Sequence, residues 1–267
     1  MDWAQARTRL DGPIFTPLRS AFARLPTDRW PSHAELTALA AGATTSRGMP
    51  LSFVAPRAQA EPERRHYELR IADTGQVETR PGNWHDLFNA LVWITFPRAK
   101  AALNAQHAAI LEERGEAEAR HRSPERDALT LFDEGGVVVL SSDPSLSALI
   151  PAFEWKALFW NRRAELEEKM RFLVFGHACY EQALQPYKGM VAKTVILGMG
   201  DEGRGTGEGR LLLQADAMLA RFFADRANFR SPKALAPMPV LGVPGWHEDT
   251  NQESFYDDAR HFRSKPG

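Results

Sequence analysis

Cysteine is all but absent from this chain of 267 residues, where Cys179 stands alone. An intramolecular disulfide is excluded, and so is a zinc cluster built on several thiolates. That usage fits a reducing compartment. Long apolar runs are missing too. The longest, Leu87 to Phe96, is interrupted by Asn89 and Thr95 and stopped by Pro97, well short of the roughly 20 residues that span a bilayer. The stretch from Met1 to Arg7 has no basic segment followed by an apolar one, so no secretory leader is expected and a cytoplasmic location is. An excess of one charge is also lacking. The formal net charge of −1 supplies no global pull toward nucleic acid or an anionic membrane, which disfavours both as partners.

What is present is the composition of an ordinary globular protein. With 43% hydrophobic and 25% charged residues, the chain is too apolar for disorder and long enough to bury one large core. Ser32, with Glu35 three residues on, forms a capping box that starts a helix over His33 to Ala40. Tyr67 to Ile71 and Gln76 to Thr79 flank Asp73-Thr74-Gly75, which reads as a hairpin. Ala128 to Phe132 and Val137 to Ser141 flank Asp133-Glu134-Gly135-Gly136 and read as a second. Asn83 caps a helix from Trp84 to Phe96, and another runs from Arg98 to about Glu113. Leu146 to Phe159, Arg162 to Leu184 and Leu211 to Arg226 follow as helices, with Val191 to Leu197 a strand. The chain thus reads as α+β: a mainly helical single domain over 1–267 with two β-hairpins. Residues 1–60 form a wrapping arm and 237–267 a long extended C-terminal segment.

Helical spacing places polar residues among apolar ones. At 100° per residue, His85 and Asn89 share a stripe with Val92 and Phe96. Lys100, Asn104 and His107 share one with Leu111, and His177 and Glu181 share one with Met170, Leu173 and Leu184. Buried polar groups need partners. One such pair is the ordinary mark of a satisfied structural histidine; three suggest a shared polar pocket. Asp133 and Glu134 would join it if the second hairpin's tip points inward.

Other features are set aside. Gly198-Met199-Gly200-Asp201-Glu202-Gly203 matches a dinucleotide fingerprint, but two acids sit inside the would-be phosphate cradle, so it reads as a mobile loop. Cys179 lies two residues from His177, on a different helical face, so the two form no local dyad.

Five ordered blocks carry a resemblance. They are Trp84 to Trp93 with Phe96-Pro97-Arg98-Ala99-Lys100, Arg126 to Glu134, Phe175 to Glu181, Pro239 to Trp246, and Phe255-Tyr256-Asp257-Asp258. Together they resemble an uncharacterised bacterial domain-of-unknown-function family from about Tyr67 to Arg263. The resemblance implies a bacterial source and one full-length domain, and no activity.

The residues alone favour a metal-assisted hydrolase acting on a phosphoester or an amide. His85, His107 and His177 are its candidate ligands for a divalent metal, the cofactor these residue types would take. Glu181 or Asp133 is the base, Lys100 neutralises an anionic substrate, and Asn89, Asn104 and Glu134 bind. The order of a hairpin followed by a helix bearing His85 and Asn89 loosely resembles the ββα-metal nucleases. Two alternatives stand beside it: a non-catalytic site gripping a small polar ligand through Asn89, Asn104 and Lys100, and a buried network that only fixes helix packing.

Overall fold

Gly136 to Ser141 is a run of β-branched and apolar residues buried along its whole length, and it forms the centre of the structure. The computed structural model describes residues 3, 7–57, 66–200 and 207–265. Its elements, in chain order, begin with α1 (His33–Leu39), β1 (Ser52–Val54), α2 (Tyr67–Thr74) and β2 (Gln76–Glu78). Next come α3 (Trp84–Thr95), α4 (Pro97–Arg114), α5 (Pro124–Gly135), β3 (Gly136–Ser141), α6 (Arg163–Lys169) and β4 (Met170–Val174). The last are α7 (His177–Ala183), β5 (Val191–Gly198), α8 (Glu208–Ala224) and β6 (Ala236–Pro239).

The larger sheet has the order β4-β3-β5-β6. Strand β3 pairs antiparallel with β4 and parallel with β5, and β6 closes the edge antiparallel to β5. The prolines of β6, Pro237 and Pro239, suit an edge, where a missing N–H costs no ladder bond. Strands β1 and β2 form a separate parallel pair. The mainly helical α+β class holds, and no helix among the described residues is long and apolar enough to cross a membrane.

Neither hairpin forms. Tyr67 to Thr74 is helical, and Gly75 ends it in the left-handed region at φ 70° with its N–H on Ile71 O. A Cβ there would stand 2.1 Å from Pro50 O, so the Asp-Thr-Gly run is a helix C-cap rather than a two-strand turn. With it goes the resemblance to ββα-metal nucleases, because β2 pairs in parallel with β1. The second expected hairpin is α5 running directly into β3. Ser123 caps α5 and Pro124 occupies its first turn. Asp133 and Glu134 therefore sit on the last turn of a helix. The helix expected over Arg162 to Leu184 is broken by β4, so Met170 and Leu173 are strand residues and share no stripe with His177.

The ends of the chain also differ from expectation. Residues of the expected arm enter the core, where Phe15, Leu18 and Phe22 are buried. Phe15 stacks on both Phe88 of α3 and Tyr180 of α7, at centroid distances of 6.0 and 5.8 Å. Beyond β6 the tail folds into short 3-10 turns that bury Leu241, Phe255 and Tyr256. Asp201, Glu202 and Gly203 of the glycine loop lie outside the described residues.

One backbone contact positions the site. Phe175 N and Gly176 N both donate to Gly136 O at 2.9 Å, drawing the start of α7 against the α5–β3 junction. A Cβ on Gly176 would lie 2.3 Å from Gly136 N and 2.5 Å from Glu134 O. Only glycine allows that approach. Gly176→Ala is expected to cost about 2–3 kcal/mol through the forced backbone shift, lowering the melting temperature by roughly 4–10 °C at this chain length. Gly135→Ala, whose added methyl meets nothing within 4 Å, is expected to be neutral or slightly stabilising. Equal effects in thermal unfolding would contradict this account of the junction.

Candidate metal centre

Three elements deliver the site. Asn83 accepts from Asp86 N and fixes the start of α3, which places His85 in the first turn. His177 is the first residue of α7, set there by Gly176. Glu134 is next to last in α5. Helices α3 and α7 are locked in register by the stack of Phe88 on Tyr180, at 5.6 Å between ring centroids.

The side chains converge. His85 Nε2 and His177 Nε2 are 3.1 Å apart. Glu134 Oε2 is 3.5 Å from His177 Nε2 and 3.8 Å from His85 Nε2. All three ligand atoms lie within 4.8 Å of one another. Ligand bonds of about 2.0–2.1 Å around a tetrahedral ion put neighbouring donors roughly 3.3 Å apart, so the three separations match the edges of such a shell.

Each imidazole has a carboxylate behind it. Glu181 Oε2 is 3.0 Å from His85 Nδ1, so His85 Nδ1–H donates and Nε2 keeps its lone pair toward Glu134 and His177. Asp133 Oδ2 stands 3.8 Å from His177 Nδ1, too far for a hydrogen bond, and that nitrogen has no hydrogen-bond partner among the described residues.

Charge around the triad is uneven. Burial pushes the His177 ring down to about 3, with Lys100 and His85 adding to it and Asp133 opposing. The ring is therefore neutral, the form that ligates metals. Burial raises the Glu134 carboxyl, and Asp133 and Glu181 raise it further against His85 and Lys100. A carboxylate short of positive charge thus faces two imidazole nitrogens, a donor set of the kind that could hold a divalent cation.

Behind the triad the charges close on themselves. The Lys100 ammonium is buried, with Asp133 Oδ1 at 2.5 Å and Asn89 Oδ1 at 2.9 Å, over the Trp93 ring at 5.3 Å. Burial would push the Asp133 carboxyl up, but the Lys100 ammonium outweighs it and holds it low. Asn104 Nδ2 donates to Glu68 O at 2.9 Å and to Glu68 Oε2 at 2.7 Å. Lys100, Asn89 and the amide nitrogen of Asn104 are engaged inside the protein.

His107 is absent from the converging group. Its Nδ1 accepts from Arg126 Nε at 3.4 Å, and burial, with Arg126 and Lys100 adding and Asp133 opposing, pushes the ring down to about 3. The structure brings His85 and His177 together and sets Glu134 where the sequence suggested His107. Burial pushes the lone thiol of Cys179 up to about 12, which leaves it unreactive.

A cavity of about 370 Å³ opens beside the triad and is lined also by Tyr67, Glu68, Asn89, His107 and Thr130. Sequence reasoning missed Glu68, because α2 was read as a strand. The glycine that ends α2 was the signal available for it.

The model of the family described as "Protein of unknown function (DUF3025)" matches residues 51–266. No curated protein and no solved structure matches the chain.

Removing Lys100 would leave Asp133 buried without its cation. Lys100→Met is expected to cost about 3–5 kcal/mol in denaturant unfolding, and adding Asp133→Leu is expected to recover most of it. Additive losses in the double variant would contradict the direct pairing.

Proposed function

The chain belongs to the DUF3025 family, a membership that brings no activity with it, and we propose from its own side chains a hydrolase assisted by one divalent metal ion. The observation that carries this reading is the convergence of His85, Glu134 and His177 on one point. Three nitrogen and oxygen donors leave a coordination position open, the pattern of catalytic rather than closed structural sites. An ion held there supplies Lewis-acid polarisation of the substrate and an acidified water.

The chain's own residues do the rest. Glu181 orients His85 and, half exposed with no Lys or Arg ion pair among the described residues, is placed to accept a proton at the mouth of the site. Asp133 is the poorer base, since Lys100 clamps it. Lys100 is committed to Asp133 and Asn89, and Arg80 to Asp86 through two contacts of 2.8 Å. Phosphoester cleavage relies on cations around the phosphoryl oxygens, and no uncommitted one lines this cavity among the described residues. An amide is the better substrate.

The buried Lys100–Asp133 pair favours one other reading, in which the polar set only fixes packing. Metal content separates the two. Protein purified without a histidine tag is expected to carry about one zinc, manganese or iron per chain. Chelation should strip the ion and lower the melting temperature, and re-addition should restore both. His85→Ala and His177→Ala are expected to lose the metal while His107→Ala keeps it. Glu181→Gln should weaken affinity about 10- to 100-fold. A chain that binds no metal in elemental analysis, or one that depends equally on His107, would overturn the proposal.

A further inference from the structure

The charged groups around the cavity pair off almost completely. Arg80 holds Asp86, Arg70 holds Glu78 at 3.1 Å, and Lys100 holds Asp133. Glu134 belongs to the triad. Glu68 is left over. Among the described residues no Lys, Arg or His lies within ion-pair distance of its carboxylate, which receives only the Asn104 amide at 2.7 Å. Burial, helped by Asp133, pushes its carboxyl up against Asn104, Lys100 and His66.

A second observation points the same way. Asn104 is 1% exposed, and its Oδ1 has no hydrogen-bond donor among the described residues. That oxygen is on the same amide whose Nδ2 grips Glu68, so the group that holds the Glu68 carboxylate is itself short of a donor. The amide cannot flip to relieve this, because Nδ2 must face the two Glu68 oxygens it already serves. A hydroxyl offers one donor, whereas an ammonium offers three together with a positive charge. Burying such a carboxylate is costly unless a cation meets it.

We infer that the cavity takes the ammonium end of an amine-bearing amide, with Glu68 as the anchoring carboxylate and the triad at the scissile carbonyl. This rests on the metal-assisted hydrolase reading. The volume of about 370 Å³ is roughly a dozen water volumes at about 30 Å³ each, which leaves room for a short carbon chain between the two ends. Glu68 acts here as a specificity residue and touches no reacting atom.

The test uses the zinc-loaded full chain and two series of hydroxamates, which chelate the ion through one end. One series carries a terminal amine on carbon chains of stepwise increasing length, and the other ends in methyl. Calorimetry is expected to show the amine tightening binding by about 10- to 100-fold at one best length. Glu68→Gln should abolish that gain while leaving the methyl series unchanged. Glu68→Asp, which keeps the charge on a shorter arm, should move the best length up by about one carbon. It also serves as the test if the Gln variant does not fold. Equal affinity of the two series at every length, or a gain that survives in Glu68→Gln, would overturn the inference and leave the metal reading standing. If neither series binds the zinc-loaded chain, the metal reading falls and the inference with it.

Discussion

The contact of Gly176 with the Gly135–Gly136 backbone decides what this protein can place in its centre. Two amides of the β4–α7 connection share the single carbonyl of Gly136, and there is no room for a side chain between them. That approach brings the end of α5 against the start of α7. Glu134 then faces His177, and Asp133 comes within 3.8 Å of the same ring. The junction is rigid because β3 starts at the same residue and is buried on both faces, with β4 and β5 as its neighbours. His85 is brought to the same point by a different means, the aromatic stack of Phe15, Phe88 and Tyr180 that fixes α3 on α7. Backbone packing and ring stacking together set three ligand atoms with the spacing an ion requires.

Electrostatics then divides the interior into two tiers. The inner tier is balanced: Lys100, Asp133 and Asn89 satisfy one another under Trp93. Such a pair adds little net stability compared with an apolar replacement, but breaking it is costly, so it holds helices α3, α4 and α5 in one arrangement. The outer tier is unbalanced. Glu134 and Glu68 are both carboxyls pushed up by burial, and each borders the cavity. Neither has a Lys or Arg ion pair among the described residues, and a bound cation is the proposed counter-charge for both. A metal ion is proposed for the first and an ammonium for the second.

Much of this was legible in the sequence where local signals and burial agree. Asn83 before a 3.6-residue apolar period gave the helix that carries His85 and Asn89, and Ser32 with Glu35 gave α1. The i,i+4 spacing of His177 and Glu181 put both on one short helix, but Glu181 pairs with His85 of α3 and not with His177. What failed were the two glycine turns. Asp73-Thr74-Gly75 and Asp133-Glu134-Gly135-Gly136 both have hairpin composition, yet one caps a helix and the other lets a helix pass straight into a strand. The Ser123 cap and Pro124 in the first turn start a helix that runs through Ala128 to Phe132, the residues expected to be a strand. Glu134 was among the candidates for the pocket, but its place beside His85 and His177, like that of Glu68 on the cavity wall, depends on tertiary contacts that no local pattern encodes. His107 was favoured for its spacing, but Arg126, distant in sequence, turns its Nδ1 to another purpose.

His85, His177 and Glu134 are proposed to ligate one ion. A crystal of the untagged protein grown in zinc and measured at the zinc absorption edge tests this most directly. The account predicts an anomalous peak about 2.0–2.2 Å from His85 Nε2, His177 Nε2 and a Glu134 oxygen, with solvent in the remaining position. A map with no peak there, or with its peak at His107 or on surface carboxylates instead, would contradict it.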